Sequence, residues 1–338
     1  MREGRPTMND VARRAGVSLK TVSRVVNGET TVDPALVARV RAAVASLNYR
    51  PQIWASMLRR NDGRTGTIGL LVEDVGDPFF AVLHRAVQDE ARARGLHVLT
   101  GSLDEDADRE REFTQAFARR HADGLILAPA GPDQSHLAVE LPPDIPVVFV
   151  DRPAHGFAGD TVLAGNLSGA MEAVRHLRQY GHRRIAYLGD LQRRATAREL
   201  HSGYLRAAGG SAGPVVHDLP DPAAAERAAL QVLHGPEPPT AIFSGRNAIT
   251  AGVVKALRRL GRHRSVALVG FDDFPLADLL EPAVTVVAQD PARIGRTAAG
   301  ALFERIDGRD GPPREIRIPT TLIPRGSGEI PAGPRSSR

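Results

Sequence analysis

The sequence of 338 residues predicts an all-α helix-turn-helix head with a hinge helix, followed by an α/β core of two doubly wound parallel-sheet subdomains. Two short amphipathic helices, separated by a glycine-containing turn within residues 7–27, indicate the head. From residue 67 onward, short apolar runs alternate with amphipathic stretches, which is typical of parallel sheets covered by helices. These runs fall into two successive sets, which predicts two subdomains.

The first two helices are predicted from their ends and their apolar spacing. Thr7 can cap the first helix, and Asp10 three residues later completes a capping box. Gly16 ends that helix, because glycine adopts a left-handed backbone at low cost, and Ser18 caps the next one. The second helix buries its valines and turns a polar and basic face outward: Leu19, Lys20, Ser23 and Arg24. Such a face suits the DNA major groove, and an ordinary surface hairpin is the alternative.

A third helix and the local charge support DNA binding over an ordinary surface hairpin. Asp33 and Pro34 are a helix cap and a proline at the first helical position. Apolar residues then recur at helical spacing: Val37, Val40, Val44 and Leu47. Residues 1–65 carry 12 Lys and Arg against 5 Asp and Glu, whereas the rest of the chain carries 32 against 34. The positive charge is therefore concentrated in the head, as the neutralisation of phosphates requires.

Residues 51–65 connect the head to the core. Pro51 stops the third helix, and residues 52–60 are compatible with a helix too short to be stable alone in water. The segment is either a plain linker or a hinge helix that orders against DNA or a second copy of the chain. Leu58 lies next to arginines, as in side chains that wedge into a minor groove.

Composition excludes several classes of protein. The chain has no cysteine, so we expect a reducing cytoplasm, no disulfide and no thiolate metal site. We expect no membrane partner, because the sequence has neither a signal peptide nor an apolar run near the roughly 18 residues that span a bilayer. It also lacks a glycine-rich phosphate loop, a Gly-x-Ser-x-Gly motif and histidines at metal-ligand spacing. We therefore expect no enzyme, no cofactor and no metal.

The strands and helices of the core are predicted from its apolar runs and the amphipathic stretches between them. The strands predicted for the first set are 68–72, 97–100, 124–128 and 147–150, and those for the second set are 184–188, 241–244 and 266–270. The helices predicted between them are 79–94, 108–121, 168–180, 196–208, 223–234 and 247–260. Ligands of such sheets bind beyond the carboxyl ends of the strands, here in the cleft between the subdomains. The tail at 329–338 has the composition of disorder.

Residues 7–58 resemble the head and hinge of the LacI/GalR family of bacterial transcription regulators. The likeness rests on Met-Asn-Asp-Val-Ala-Arg-Arg-Ala-Gly-Val-Ser at 8–18, Thr-Val-Ser-Arg-Val-Val-Asn-Gly at 21–28 and Leu-Asn-Tyr-Arg-Pro at 47–51. It implies that Leu19, Lys20 and Arg24 read bases. It further implies DNA contacts, mostly to phosphates in the head and to the minor groove from the hinge, for Thr7, Ser18, Thr21, Ser23, Asn27, Tyr49, Gln52, Ala55 and Leu58. Gln52 and Ser56 depart from the family's usual Asn and Arg.

The core resembles the effector-binding core of the same family, which is similar to periplasmic sugar-binding proteins. The likeness extends to about Gly326 and includes Asp-Pro-Phe-Phe at 77–80, Val-Asp-Arg at 150–152, Gly-Phe-Asp-Asp at 270–273 and Val-Val-Ala-Gln-Asp at 286–290. In that fold the backbone crosses between subdomains three times. With a head at 1–50 and a core at 66–328, we expect subdomain 1 at about 66–159 and 291–318, and subdomain 2 at about 160–290 and 319–328.

The candidates for effector binding are Phe79, Phe80, Arg152, Arg198, Arg246, Asn247, Asp272 and Gln289. Asp272 follows a strand, where a carboxylate accepts hydrogen bonds from sugar hydroxyls or a base edge, and a helix cap is the alternative. Arg198 suits a bidentate grip on hydroxyls or a carboxylate, or else a surface ion pair. The two phenylalanines pack on a ligand or in the core. Because Arg152, Arg198 and Arg246 are expected to make the cleft rich in arginine, we hypothesise a sugar-derived effector with acidic or phosphorylated groups.

The resemblance implies a homodimeric, cytoplasmic regulator, expected to be a repressor, that a small-molecule effector switches. Its two heads would bind a pseudo-palindromic double-stranded operator. The absence of a C-terminal heptad repeat favours a dimer over a tetramer. Two other classes stay open: a helix-turn-helix protein fused to a sugar-phosphate enzyme, and a periplasmic solute-binding protein. The head and the absence of a signal peptide oppose the second of these.

Overall fold

The structure, a computed structural model, describes residues 6–26, 29, 31–49, 64–209 and 212–333. The chain divides into two compact units, Met1–Thr65 and Gly66–Arg338. Within the described ranges, no helix is long and apolar enough to cross a membrane.

The first unit contains the predicted head. Its helices are α1 (Met8–Ala15), α2 (Leu19–Val26) and α3 (Pro34–Ser46). Thr7 and Asp10 form the capping box, and Gly16 ends α1 with a φ of 61°. Arg39 on α3 donates to the carbonyl oxygens of Ala15 and Gly16 at 2.7 and 3.1 Å, which ties the end of α1 to α3. The buried core consists of Val11, Ala12, Ala15, Val22, Val40, Ala43 and Tyr49. The predicted hinge helix lies outside the described residues.

The second unit contains two sheets, as the sequence predicts, but each has six strands, whereas the sequence predicts four in the first and three in the second. The strands of the first sheet are β1 (Thr67–Val72), β2 (His97–Ser102), β3 (Gly124–Leu127), β4 (Val147–Val150), β5 (Asp160–Ala164) and β11 (Glu315–Ile318). Every described pairing in this sheet is parallel, and the order is β11-β5-β4-β3-β1-β2. The central strands β3 and β4 are buried throughout, which is why they read as continuous apolar runs.

The strands of the second sheet are β6 (Ile185–Leu188), β7 (Ala212–Val216), β8 (Ala241–Ser244), β9 (Ala267–Phe271), β10 (Thr285–Ala288) and β12 (Thr321–Ile323). Their order is β12-β10-β9-β8-β6-β7, and of the described pairings only that of β10 with the edge strand β12 is antiparallel. The helices of this unit are α4 (Pro78–Ala93), α5 (Ala107–Arg119), α6 (Leu137–Glu140), α7 (Asn166–Gln179), α8 (Ala195–Ala208), α9 (Pro222–His234), α10 (Asn247–Arg259) and α11 (Pro291–Ile306). We call the first sheet with its helices the first lobe, and the second sheet with its helices the second lobe.

The chain passes between the two sheets three times: after β5, after β10 and after β11. Helix α11 packs on the first sheet, because Ile294, Ala298 and Leu302 share a buried apolar cluster with its strands. Residues 291–318 therefore lie in the first lobe, whereas β12 returns to the second sheet.

One boundary differs from the sequence prediction, which began subdomain 2 at residue 160. Residues 160–164 form β5, which lies between β4 and β11 in the first sheet, so the first lobe extends to Ala164. This strand begins with a charged residue, which hid it from a search for apolar runs. The side chain of Asp160 is buried, and it accepts hydrogen bonds from the guanidinium groups of Arg305 and Arg314 at 2.8 and 2.7 Å.

The prediction of a disordered tail is wrong for residues 329–333. The Glu329 carboxylate accepts hydrogen bonds from the Thr285 hydroxyl at 2.7 Å and the Gly326 N–H at 2.5 Å, and it also contacts His176. His182 Nε2 lies 2.8 Å from the carbonyl oxygen of Ile330. These polar partners from the second lobe hold the segment in place despite its composition. Residues 334–338 lie outside the described residues.

Candidate functional site

Helix α2 presents the solvent-facing surface of the head. Leu19 is 45% exposed and Lys20 is also exposed, whereas Val22 on the opposite face is completely buried. The Ser18 hydroxyl accepts a hydrogen bond from the Thr21 N–H at 3.1 Å, which is the predicted cap of this helix. The hydroxyl groups of Ser18 and Thr21 lie 2.9 Å apart. The helix therefore exposes one apolar and several polar side chains on a rigidly capped first turn.

Arg24 lies on the same helix and is held by the residues that follow it. Its Nε donates to Glu29 Oε2 at 2.7 Å, and its Nη2 donates to the Thr31 hydroxyl at 2.5 Å. The Arg24 side chain is 35% exposed and that of Glu29 is 47% exposed, so the pair is open to solvent. Since exposed ion pairs contribute at most about 1 kcal/mol, DNA can replace this partner.

The other residues predicted to contact DNA differ in how exposed they are. Thr7 is exposed and its hydroxyl donates to Asp10 at 2.6 Å, while Ser23 is half-buried. Tyr49 is 7% exposed and belongs to the core of the head, so little of its side chain reaches the surface. The remaining four lie outside the described residues: Asn27, Gln52, Ala55 and Leu58.

In the second unit, a cleft lies where the carboxyl ends of both sheets face each other. Its charged lining residues follow strands or begin helices at those ends: Glu73, Asp77, Asp151 and Arg152 in the first lobe, and Asp190, Arg194, Arg246 and Asp272 in the second. Asp151 and Asp272 directly follow β4 and β9, and both have a left-handed backbone, with φ of 66° and 70°. Aspartate tolerates this conformation better than most residues, so a carboxylate can stand at each strand end.

Arg152 balances the charge of several carboxylates at the base of the cleft in the first lobe. Its guanidinium contacts Glu73, lies 2.5 Å from Glu105 and donates to Asp151 at 3.1 Å. It also donates to the carbonyl oxygen of Pro129 at 3.2 Å. Although burial works against the charged form, Arg152 and Arg194 hold the pKa of the Glu105 carboxyl below its usual range. The donors of Arg152 are thus committed to protein partners.

Arg194 joins the two lobes. It precedes α8 in the second lobe and donates to Glu73 of the first lobe at 2.6 Å and to Asp190 at 2.6 Å. Its Nε lies 3.3 Å from Glu105 Oε1. Only 8% of Arg194 is exposed, so these contacts are made almost without solvent. An ion-pair network therefore closes the base of the cleft.

Arg246 is held more loosely. Its guanidinium lies 3.6 Å from Asp77 in the first lobe, 3.7 Å from Asp190 in the second lobe and 4.0 Å from Glu73. These distances exceed that of a direct hydrogen bond, so the donors of Arg246 are available to a ligand. Although burial opposes its charged form, the surrounding carboxylates raise the pKa of Arg246.

Asp272 and Gln289 form a polar pair in the second lobe. Gln289 Nε2 donates to Asp272 Oδ1 at 2.7 Å. Burial raises the pKa of the Asp272 carboxyl to about 7, although the hydrogen bond from Gln289 acts in the opposite direction. Gln289 Oε1 is buried and has no hydrogen-bond partner among the described residues. The pair therefore offers acceptors to a ligand hydroxyl.

Two phenylalanines form the apolar side of the cleft. Phe79 and Phe80 meet edge to face with ring centroids 5.0 Å apart. Phe80 is 5% exposed and belongs to the core of the first lobe, whereas Phe79 is half-buried. Both line the cleft, and Phe79 offers the larger accessible surface.

Six of the residues predicted to bind effector line the cleft together: Phe79, Phe80, Arg152, Arg246, Asp272 and Gln289. Two predicted residues do not. Arg198 lines a neighbouring pocket and donates to the carbonyl oxygens of Gln192 and Arg193, and the Asn247 side chain accepts from the N–H of Ala248 at 2.5 Å.

Sequence reasoning missed most of the carboxylates: Glu73, Asp77, Asp151 and Asp190, together with Asn166 and Arg194. Glu73 and Asp190 stand directly or nearly directly after predicted strands, and that position was a usable signal. Five carboxylates and three guanidinium groups line the cleft, so its arginines do not leave an excess of positive charge. The hypothesis of an acidic or phosphorylated effector therefore loses its basis in this cleft.

Known proteins resemble this chain over nearly its whole length. Residues 7–52 match the model of the bacterial regulatory proteins of the lacI family, and residues 174–328 match a periplasmic binding protein-like domain. The HTH-type transcriptional repressor PurR of Erwinia tasmaniensis is 32% identical, with 95% of this chain and 96% of the relative covered. The ribose operon repressor of Escherichia coli K12 is also 32% identical, with 95% and 99% covered. This chain belongs to the LacI family.

A solved structure agrees with the fold of the core. A putative ribose operon repressor from Burkholderia thailandensis is 36% identical and superposes with a TM-score of 0.69, covering 77% of this chain and 99% of that chain. The LacI-family relatives named here are transcriptional repressors, which confirms the expectation of a DNA-binding regulator rather than an enzyme. The predicted helix-turn-helix head and periplasmic-binding-protein-like core are confirmed as well.

Proposed function

We propose that this protein is a cytoplasmic transcriptional repressor that binds a pseudo-palindromic operator as a homodimer and is controlled by a neutral sugar in the cleft. The named relatives support repression, and the basic head with its exposed α2 face supports DNA binding. A sugar acts as effector by binding one arrangement of the two lobes more tightly than the other. That differential affinity is what changes the affinity of the heads for DNA.

The hydrogen-bonding groups of the cleft favour a neutral sugar as the effector. Each sugar hydroxyl both donates and accepts a hydrogen bond, and the cleft offers carboxylate acceptors beside the loosely held donors of Arg246. An anionic ligand would meet more carboxylates than guanidinium groups and would be repelled. A purine base carries ring nitrogens that only accept hydrogen bonds, and these cannot pair with the carboxylate acceptors of the cleft.

The size of the effector follows from the cleft and from the relatives. The cleft has a volume of about 60 Å³, enough for a few water molecules and therefore for a small ligand only. Two of the relatives are named ribose operon repressors. We therefore propose a monosaccharide of pentose size.

Isothermal titration tests the proposal with neutral pentoses and hexoses, their phosphate esters, and purine bases. We expect a neutral monosaccharide to bind and to change the affinity of the protein for an operator selected from a random DNA library. The proposal is overturned if only purine bases or only phosphate esters bind, or if the bound sugar leaves operator affinity unchanged.

A further inference from the structure

A second pocket, which we call the outer pocket, shares Arg152 and Arg194 with the cleft. It has a volume of about 390 Å³. One wall comes from the first lobe, through residues 129–132 and 153–155, and the other from the second lobe, through residues 193–198. A ligand in the outer pocket would therefore contact both lobes.

The charge of the outer pocket is opposite to that of the cleft. Four arginines line it, whereas its single lining carboxylate is Glu105. That carboxylate is shared, since it lies 2.5 Å from Arg152, 3.3 Å from Arg194 and 3.5 Å from Arg193. Arg152 and Arg194 are also paired with Glu73, Asp151 and Asp190 of the cleft. The positive charge that remains in the outer pocket is therefore that of Arg193 and Arg198.

Two of these arginines keep donors for a ligand. Arg198 is held in place because its Nη1 donates to the carbonyl oxygens of Gln192 and Arg193, each at 2.8 Å. Among the residues that the structure describes, no carboxylate lies within ion-pair distance of Arg198. The Arg193 side chain is 62% exposed, and its Nε lies 3.5 Å from Glu105 Oε2, longer than a direct hydrogen bond. Both guanidinium groups therefore stand at the pocket with unused N–H groups.

The backbone at the start of α8 adds partial positive charge to the outer pocket. Helix α8 begins at Ala195, which lines the pocket, and none of the side chains that the structure describes caps this end of the helix. The first amide N–H groups of a helix lack intrahelical partners and carry a partial positive charge. They supplement the guanidinium groups of Arg193 and Arg198 as donors to an anion.

We propose that the outer pocket binds a phosphate group, either free phosphate or a phosphate monoester, between the two lobes. The guanidinium groups of Arg193 and Arg198 donate hydrogen bonds to the phosphate oxygens. The anion also reduces the repulsion between these positive charges. Because both lobes supply the walls, bound phosphate favours the closed arrangement of the core. This site is separate from the proposed sugar cleft, and its test does not require the sugar.

The test is titration of the full chain with inorganic phosphate, and in a second arm with glycerol 3-phosphate, in sodium chloride of matched ionic strength. The variant is Arg193→Gln with Arg198→Gln. The matched control is Arg183→Gln with Arg206→Gln, two exposed arginines of the second lobe that do not line the pocket. We expect the pocket variant to weaken phosphate binding about tenfold or more and the control to leave it unchanged.

Tighter binding of glycerol 3-phosphate than of phosphate identifies a phosphate monoester as the ligand, and the reverse identifies the free ion. The single variant Arg193→Gln guards against a folding defect, because its side chain is mostly exposed, and it should weaken binding as well. The proposal is overturned if phosphate has no effect beyond that of chloride. It is equally overturned if binding survives the pocket variant, as binding by the basic head would, or if a neutral sugar competes with phosphate.

Discussion

Arg194 in the second lobe donates a hydrogen bond of 2.6 Å to Glu73 in the first lobe, and this pair spans the base of the cleft. The same guanidinium serves Asp190 and Glu105, so its loss removes one cation from three buried carboxylates, of which Glu73 and Glu105 keep only Arg152 in close contact. We expect Arg194→Gln to lower the free energy of unfolding by about 3 kcal/mol, measured by urea denaturation.

The adjacent arginine provides the control for that variant. Arg193 is 62% exposed and lies 3.5 Å from Glu105, so Arg193→Gln should cost less than about 1 kcal/mol. Similar losses in the two variants would contradict the assignment of Arg194 as the ion pair that joins the lobes.

Asp272 makes effector binding depend on pH. Burial raises the pKa of this carboxyl to about 7, and sugar hydroxyls donate to its ionised form. The affinity for the neutral sugar should therefore rise as the pH increases through about 7. Asp272→Asn should remove this dependence and weaken binding about tenfold at alkaline pH, measured by calorimetry. A variant that kept the pH slope would show that another group is responsible.

The same carboxyl has an opposite effect on the stability of the effector-free protein. Between the unfolded pKa, about 4, and the folded value of about 7, the folded state holds a proton that the unfolded state releases. The contribution of Asp272 to stability therefore falls as the pH rises through this window. Asp272→Asn should lessen that fall, as thermal unfolding at several pH values would reveal.

Arg24 should distinguish operator from unrelated DNA. Since DNA can displace its exposed partner Glu29, Arg24→Ala should cost about 1–3 kcal/mol on a selected operator and much less on random DNA. Glu29→Gln, which releases the guanidinium, should strengthen operator binding. Arg13→Ala is the control, because that arginine is 79% exposed on α1. Competition binding measures the ratio, and equal losses on both DNAs would refute base reading by Arg24.

Asp160 should stabilise the first lobe in a pH-dependent way. Although burial opposes the charged form, hydrogen bonds from Arg305 and Arg314 hold the pKa of Asp160 well below its usual range. Its contribution is complete above the unfolded pKa of about 4 and is lost as the pH falls further. Asp160→Asn should destabilise the protein by about 2 kcal/mol at neutral pH, and the difference should shrink below about pH 4. The exposed Asp310→Asn is the control, and a matching loss there would refute this role.

The segment after Gly328 should be required for the stability of the second lobe. A chain that ends at Gly328 loses Glu329 and Ile330, the partners of Thr285 and the buried His182. We expect a loss of about 2 kcal/mol on chemical denaturation, because these polar groups are left unpaired. A chain that ends at Gly333 retains them and should match the full chain. Equal stability of both truncated chains would contradict the role of Glu329.

Much of the fold follows from short stretches of sequence. The capping box of Thr7 and Asp10, and the turn at Gly16, involve residues within one or two helical turns. The buried strands β3 and β4 read as apolar runs because helices cover both faces of the sheet. Such features depend on near neighbours in the chain, so periodicity and capping chemistry are enough to predict them.

The cleft was predictable only in part. Asp272 was recognisable because it follows an apolar strand, and Phe79 and Gln289 because they lie in motifs of the family. Arg198 was misplaced by one turn of helix, since Arg194 is the arginine that lines the cleft. Sequence position brings a residue to the correct end of the sheet, but the direction of its side chain depends on the partners that it finds there.

The sequence by itself determined the helix-turn-helix head, the alternation of strands and helices, and the end of each sheet at which the cleft lies. Only the tertiary structure decided the charge of the cleft, the place of β5 and the docking of Glu329. The physical reason is that an ion pair depends on distances between residues far apart in the chain. Asp160 meets Arg305 and Arg314, and Glu73 meets Arg194, only after the sheets and the crossings between them have formed.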